Sequence, residues 1–382
     1  MNQEDKTQLT RPWVDWTARQ IHDPVWRLRY LQSVIPPPVP QSRWKSRKTI
    51  GLLTLLAIGT VAAPFTVRVS GAARTATFKS PVIPPPRAQT PVQASEPSLP
   101  DVWPVERTSG YDVYSNGLRI ENQYAVSHRP RAYLAYPMAD PEGNHGEIRA
   151  EPAGIVYHTT ESLQAPFESS QNTVLKRVGE SLISYVRRRR CYHFLIDRFG
   201  RVFRIVNESD AADHAGHSVW ADDRYFYVNL NGSFIGISFE AQTGFGEDAT
   251  SAGSAQVRSA AMLTEMLRSR YRIPARNCVT HAQVSVNPSN MQIGYHIDWA
   301  SSFPFEKLGL PDNYAWPSPA VSLFGFGFDA NFAQRAGDRM GAAALEAESG
   351  IPEHARAAHL SVAVYRQFLR KRFLKLSSHR PR

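Results

Sequence analysis

Cysteine is nearly absent: the 382 residues include only Cys191 and Cys278. Two thiols exclude a disulfide framework and a cysteine-rich zinc site. Each falls at an expected strand boundary, so one bond in an oxidising compartment and two buried thiols both fit the pattern. The middle of the chain also lacks positive charge. The net charge is +10, but residues 1–49 hold nine Lys/Arg against four Asp/Glu, and residues 356–382 hold eight against none; −3 remains for residues 50–355. This argues against nucleic acid as a partner of the central region, whereas basic ends suit anionic lipid.

Long apolar runs are scarce, which makes residues 50–67 (IGLLTLLAIGTVAAPFTV) stand out. They carry no charge and follow Arg43, Lys45, Arg47 and Lys48. As a helix rising ~1.5 Å per residue the run spans about 27 Å, close to the hydrocarbon thickness of a bilayer. The basic flank places its N-terminal side in the cytoplasm. Small residues at 61–63 and 70–73 would also suit a cleaved signal peptide, but 49 residues is long for the segment ahead of such a run. The expectation is a transmembrane signal anchor at 50–69 behind a cytoplasmic basic segment, 1–49. It predicts a membrane-anchored protein whose main domain faces the periplasm or cell wall. Residues 70–104 form a proline-rich linker, with eight prolines between positions 81 and 104.

Residues 105–312 carry the pattern of a folded α/β domain. Short apolar strands are expected at 154–158, 234–241 and 277–280, and a hairpin at 191–206 turning at Gly200. Helical spacing appears at 171–186 (Val174, Val178, Leu182, Tyr185) and at 254–271 (Val257, Ala261, Leu263, Met266, Leu267). Residues 313–382 are a C-terminal extension ending in a basic amphipathic helix, which suits packing on the domain as well as membrane contact.

Hydrolytic zinc takes three His or carboxylate ligands and an open fourth position. Of twelve histidines, His158 ends an expected strand and His281 directly follows one. In order, the chain reads GIVYHTT (154–160), CYHFLIDRFGRVF (191–203), HAG (214–216), NGSFIGISFE (231–240) and VTH (279–281). This succession resembles the N-acetylmuramoyl-L-alanine amidase type 2 family, which includes peptidoglycan recognition proteins, over about residues 150–312.

The resemblance implies a mixed β-sheet flanked by helices and one zinc ion. It also implies hydrolysis of the amide between N-acetylmuramic acid and L-alanine in peptidoglycan or muropeptides. It puts His158 and His281 at the first two zinc ligands. The third-ligand region departs from the family's Lys-x-Asp or Lys-x-Cys pattern, and two registers compete. Matching Ile297-Asp298-Trp299 to the family's Phe-x-Trp puts Gln292, a poor ligand, at the metal. Matching Phe303-Pro304-Phe305 instead puts Asp298 at the metal and His296 in the place of the lysine, with an insertion at 284–294. The second register is preferred, with His296 as the alternative ligand.

His296 would then stabilise the oxyanion, and Tyr192 matches a catalytic tyrosine of phage-type members. Ser238 occupies the place of a catalytic glutamate in cytosolic members. Glu240, two residues on, is a reserve base or a structural carboxylate. His193 faces the core, and His214 and His217 line the groove. The altered region leaves room for a zinc-free, non-catalytic peptidoglycan-binding module. A further alternative is an assembly protein whose segment 1–49, with Trp13, Trp16, Trp26 and Trp44, binds a partner.

Overall fold

The computed structural model describes residues 99–244 and 250–379, all within one compact unit. The expected cytoplasmic segment and signal anchor, and the linker as far as residue 98, lie outside the described residues. Among those described, no helix is long and apolar enough to cross a membrane.

Eight strands form the central sheet: β1 (Pro104–Arg107), β2 (Tyr111–Tyr114), β3 (Arg119–Glu121), β4 (Gly154–Thr159), β5 (Phe194–Ile196), β6 (Val202–Arg204), β7 (Phe234–Phe239) and β8 (Cys278–Thr280). Their order is β1-β2-β3-β6-β5-β7-β4-β8. The strands β5, β7, β4 and β8 run parallel, and β6 returns antiparallel to β5. The expected mixed α/β fold is therefore present. All six residues of β4 and of β7 are buried. Strands covered on both faces read as nearly unbroken apolar runs, which is why GIVYHT and FIGISF were recognisable.

Alternation along the strands assigns the two faces. Ile155, Tyr157, Phe194, Ile196, Ile237 and Phe239 share a cluster with Leu263, Met266 and Leu267 of α2 (Ser254–Tyr271). On the other face, Leu195 and Phe203 meet Leu182, Ile183 and Val186 of α1 (Asn172–Arg189). Val156, Phe234 and Val279 meet Tyr133, Trp220 and Tyr227 of a second, antiparallel sheet. The buried stripe of α1 is Leu175, Leu182, Ile183 and Val186, rotated from the expected one. The helix carries two overlapping apolar stripes. Its aliphatic one takes the interior, while amphipathic Tyr185 stays half exposed. Cys191 and Cys278 are free thiols.

Beyond β8 come the single turn α3 (His281–Val284), then α4 (Pro319–Phe324), α5 (Ala330–Arg335), α6 (Gly337–Ser349), α7 (Ile351–Ala357) and α8 (Val362–Ser378). The C-terminal extension is stitched into the domain. Asn313 Nδ2 donates to the carbonyls of Ala275 and Cys278, both at 2.8 Å. The basic helix packs rather than standing free: Tyr365, Leu369, Phe373 and Leu376 are buried, and Arg370, Lys371 and Lys375 remain in solvent. Phe373 meets Phe326 and Phe324 at ring distances of 4.9 and 5.6 Å. Truncating such a ring costs about 3–5 kcal/mol. Phe373→Ala should therefore lower the stability of the whole domain by that order in urea denaturation. An unchanged midpoint would show that α8 is dispensable to the core.

Candidate metal centre

Parallel strands bring their C-terminal ends to one edge, and the site is assembled there. His158 is the fifth residue of β4, paired in register with Ser238 of β7. His281 opens α3 directly after β8, with Thr280 and Gln283 forming a capping box at the junction. The Thr280 amide donates to Gln283 Oε1 at 2.9 Å, so the turn that aims His281 is fixed locally.

Asp298 arrives from a loop. Residues 284–294, expected as an inserted loop, form a small antiparallel hairpin pairing Val286–Asn287 with Gln292–Ile293. Gln292 is held there, its side-chain oxygen accepting from Asn290 Nδ2 at 3.2 Å. After the hairpin, Trp299 adopts a left-handed φ of 58° and is fully buried against Phe239 and Phe303. Tyr314 Oη donates to the Trp299 carbonyl at 2.5 Å, and the Phe303 amide donates to Tyr314 Oη at 3.1 Å. The segment carrying Asp298 is therefore pinned from the C-terminal extension.

His158, His281 and Asp298 are buried together, with ligand-type atoms within 4.8 Å of one another. His281 Nδ1 lies 2.9 and 3.2 Å from the two Asp298 oxygens, and His158 Nδ1 lies 3.3 Å from Oδ2. Burial opposes ionisation of Asp298, but His281 and His158 more than offset this and hold its carboxyl well below the usual range. Burial first, and then the charge of His281, lowers His158 to about 4 against the pull of Asp298. His214 is likewise pushed well below its ordinary value by burial and by the neighbouring histidines.

The hydrogen-bond network then assigns tautomers. His214 Nε2 lies 3.2 Å from the Phe234 carbonyl, which can only accept, so Nε2 carries the proton. In neutral His214, Nδ1 is then an acceptor, and His158 Nε2 donates to it at 3.1 Å. His158 Nδ1 is left as a bare lone pair aimed at an ionised carboxylate. Two electron-rich groups facing each other across 3.3 Å call for a cation. An imidazole whose far N–H is anchored by a second group is the usual arrangement of a metal-ligating histidine. The donor set of two imidazoles and one carboxylate suits zinc.

His296 stacks on His281, rings 4.5 Å apart and 19° from parallel, with its amide donating to Ser285 Oγ at 2.9 Å. Tyr192, with a left-handed φ of 60°, sets its ring 5.0 Å from that of His158. Burial, reinforced by Asp298, pushes its phenol well above the ordinary value. Glu240 lies apart from these. Its carboxylate accepts from the Arg198 amide at 3.1 Å in the hairpin turn, a contact that suits a structural carboxylate. His193 is a core histidine: its Nδ1 accepts from the Gly236 amide at 2.9 Å and its Nε2 donates to the Asp210 carbonyl at 3.0 Å. His217 is exposed.

Two residues acquire roles that the sequence reading did not assign. His214 sets the tautomer of His158, and its ring occupies space that only Gly236 leaves free; a Cβ there would lie 2.6 Å from His214 Cγ. Spacing carried no signal of that contact, since 22 residues separate the two. Glu161 follows His158 by three residues with φ 51°. The residue as a whole is exposed, but its Oε1 accepts from the hydroxyls of Thr159 and Thr243 and, at 3.1 Å, from the Thr243 amide. Burial of the carboxyl raises its pKa, and the charge of Asp298 contributes.

The metal-free protein should lose stability as pH falls from about 6.5 toward 4. In that window unfolded His158 takes up a proton at its ordinary value of 6.5, while folded His158 resists until about 4. The lost stability is a few kcal/mol. Urea midpoints in chelator at pH 7 and pH 5 would check this; equal midpoints would contradict a buried neutral His158.

Residues 149–293 match the family model described as N-acetylmuramoyl-L-alanine amidase, a span that holds all five motifs and ends before Asp298. No curated protein sequence matches the chain. Among solved structures, the N-acetylmuramyl-L-alanine amidase AmiD from E. coli is 19% identical, with 70% of this chain and 97% of that one covered and a TM-score of 0.34. AmpDh3 from Pseudomonas aeruginosa is 20% identical, with coverage of 59% and 90% and a TM-score of 0.33. Drosophila peptidoglycan recognition protein SD is 16% identical, with coverage of 42% and 84% and a TM-score of 0.25.

Proposed function

Since residues 149–293 carry the pattern of the amidase family, we propose that this protein is a zinc-dependent peptidoglycan amidase. It would hydrolyse the amide between N-acetylmuramic acid and L-alanine. The observation that carries the reading is the bare Nδ1 of His158, facing Asp298 beside His281. A recognition module without metal would have no use for that arrangement.

His158, His281 and Asp298 would hold the ion. Zinc supplies polarisation of the scissile carbonyl and acidification of a water molecule. The remaining work falls to side chains of this chain. Tyr192 keeps its proton throughout the neutral range, so it acts as a hydrogen-bond donor to the charge that develops on the carbonyl oxygen. His296, stacked on His281, presents a second donor from the other imidazole side. Glu161 has one oxygen saturated by threonine donors, and its raised pKa brings it nearer to the range of a general base. Its charge, like that of Asp298, is felt by Tyr192.

On this reading the fold belongs outside the cytoplasm, held at a membrane by the apolar run at 50–67.

Asp298→Ala should abolish stoichiometric zinc and with it the release of stem peptide from cell-wall material. His296→Ala should keep zinc and lose about 10²-fold or more in kcat. Metal analysis beside an amidase assay separates the cases, and a fully zinc-loaded Asp298→Ala protein would reassign the third ligand. A wild-type protein that neither holds zinc nor releases peptide would favour the recognition module.

Glu161 can be tested by substitution chemistry. The change Glu161→Gln keeps a side-chain oxygen to accept from all three threonine donors but leaves no group that can take a proton. It should therefore cost about 10²-fold or more in kcat and remove the acidic limb of the pH–rate profile. If Glu161→Gln were fully active and Glu161→Ala impaired, the residue would be a loop clamp only.

A further inference from the structure

Two phenylalanines stand in solvent at the same sheet edge as the metal centre. Phe167, in the loop between β4 and α1, is 57% exposed, and Phe199, in the β5–β6 turn, is 49% exposed. Their rings lie 5.3 Å apart, tilted by 47°. Burying either would be worth about 1.5–3 kcal/mol, so two adjacent exposed rings on braced loops need an explanation other than folding.

The loops that present them are braced. The buried carboxylate of Asp197 accepts from the amides of Phe199 and Arg201 at 3.0 and 2.8 Å, and from Arg201 Nε at 2.6 Å. Ser259 Oγ of α2 donates to the Gly200 carbonyl at 2.6 Å. Arg198 links the two loops: its amide donates to Glu240, its guanidinium donates to the Ala165 carbonyl, and its Cζ lies 4.9 Å from the Phe167 ring centre. Arg201 lies over Phe199 at 5.4 Å. Each ring is thus backed by a cation and held in place, with much of its surface left open.

Position supplies the rest. Ile196, Phe239 and Thr159 are in register across β5, β7 and β4, so the Phe199 turn sits beyond the same edge as His158. Two strand spacings separate the edges of β5 and β4, roughly 10 Å sideways. A polymer whose scissile amide lay at the metal centre would have sugar rings within reach of that distance.

We propose that Phe167 and Phe199 form a sugar-stacking subsite for the glycan strand carrying the scissile peptide. The C–H face of a pyranose is apolar and complements the negative face of an aromatic ring. The guanidinium groups of Arg198 and Arg201 add donors for hydroxyl and N-acetyl oxygens at the rim. The proposal rests on the amidase reading for its substrate, but its binding test does not require turnover.

The zinc-loaded full-length protein and the double variant Phe167→Ala/Phe199→Ala would be compared on three probes. These are insoluble peptidoglycan sacculi, a soluble muramoyl-peptide monomer, and phosphatidylglycerol vesicles. Sedimentation with sacculi should weaken about tenfold in the variant, and KM for sacculi should rise by a similar factor with kcat unchanged. Kinetics on the monomer should stay within about twofold. Phe199→Trp alone should retain sacculus binding, which guards against a mere loss of folding in the double variant.

Unchanged sacculus binding would overturn the proposal, as would equal losses on sacculi and monomer. Loss of vesicle binding with sacculus binding intact would also overturn it, and would assign the pair to a lipid surface. If wild-type protein cleaved neither substrate, the amidase reading would fall while the sedimentation comparison still decided the subsite.

Discussion

The candidate site depends on a relay of three groups: the Phe234 carbonyl, His214 and His158. A carbonyl can only accept, so one fixed proton on His214 Nε2 propagates through two neutral imidazoles and strips His158 Nδ1. Asp298 then confronts a lone pair in a buried space, where charge is poorly screened. Three supports hold these groups in place. Gly236 makes room for the His214 ring, the capped turn of α3 aims His281, and Tyr314 pins the backbone beside Asp298.

The fold places these groups by a division of labour. Parallel strands β4, β7 and β8 are rigid and buried on both faces, so His158 and His281 inherit a fixed separation. The third group comes from a loop, which would be a weak anchor alone. It is secured because Trp299 sinks into the aromatic cluster of Phe239 and Phe303. The C-terminal extension braces the same segment through Tyr314, while Asn313 ties that extension to the Ala275 and Cys278 carbonyls. A region that the sequence suggested was an appendage therefore supports the chemistry.

Much of this was legible because burial writes itself into composition. Strands GIVYHT and FIGISF, the hairpin at 191–206 and the helix at 254–271 all follow from apolar runs, a turn glycine and helical period. The core role of His193 followed from alternation with Tyr192. The register that put Asp298 rather than Gln292 beside the histidines rested on two phenylalanines flanking a proline, and those rings do form the packed end of the segment. What stayed hidden lies in contacts between distant parts. Two overlapping stripes on α1 could not be ranked without the sheet beneath them. The tautomer role of His214 and the Thr243 side of the Glu161 cradle join residues with no common period. The contact between the Glu240 carboxylate and the Arg198 amide likewise joins residues whose spacing gave no sign of it.

The three clustered groups come from positions 158, 281 and 298, so they join chain segments up to 140 residues apart. Closing a loop of that length costs an unfolded chain about 4 kcal/mol in the logarithmic part of its entropy alone. A cation gripped by all three is a cross-link over most of the domain. The ion would act on the folding equilibrium much as a long-range disulfide does in a secreted protein, in a chain whose two cysteines remain free thiols.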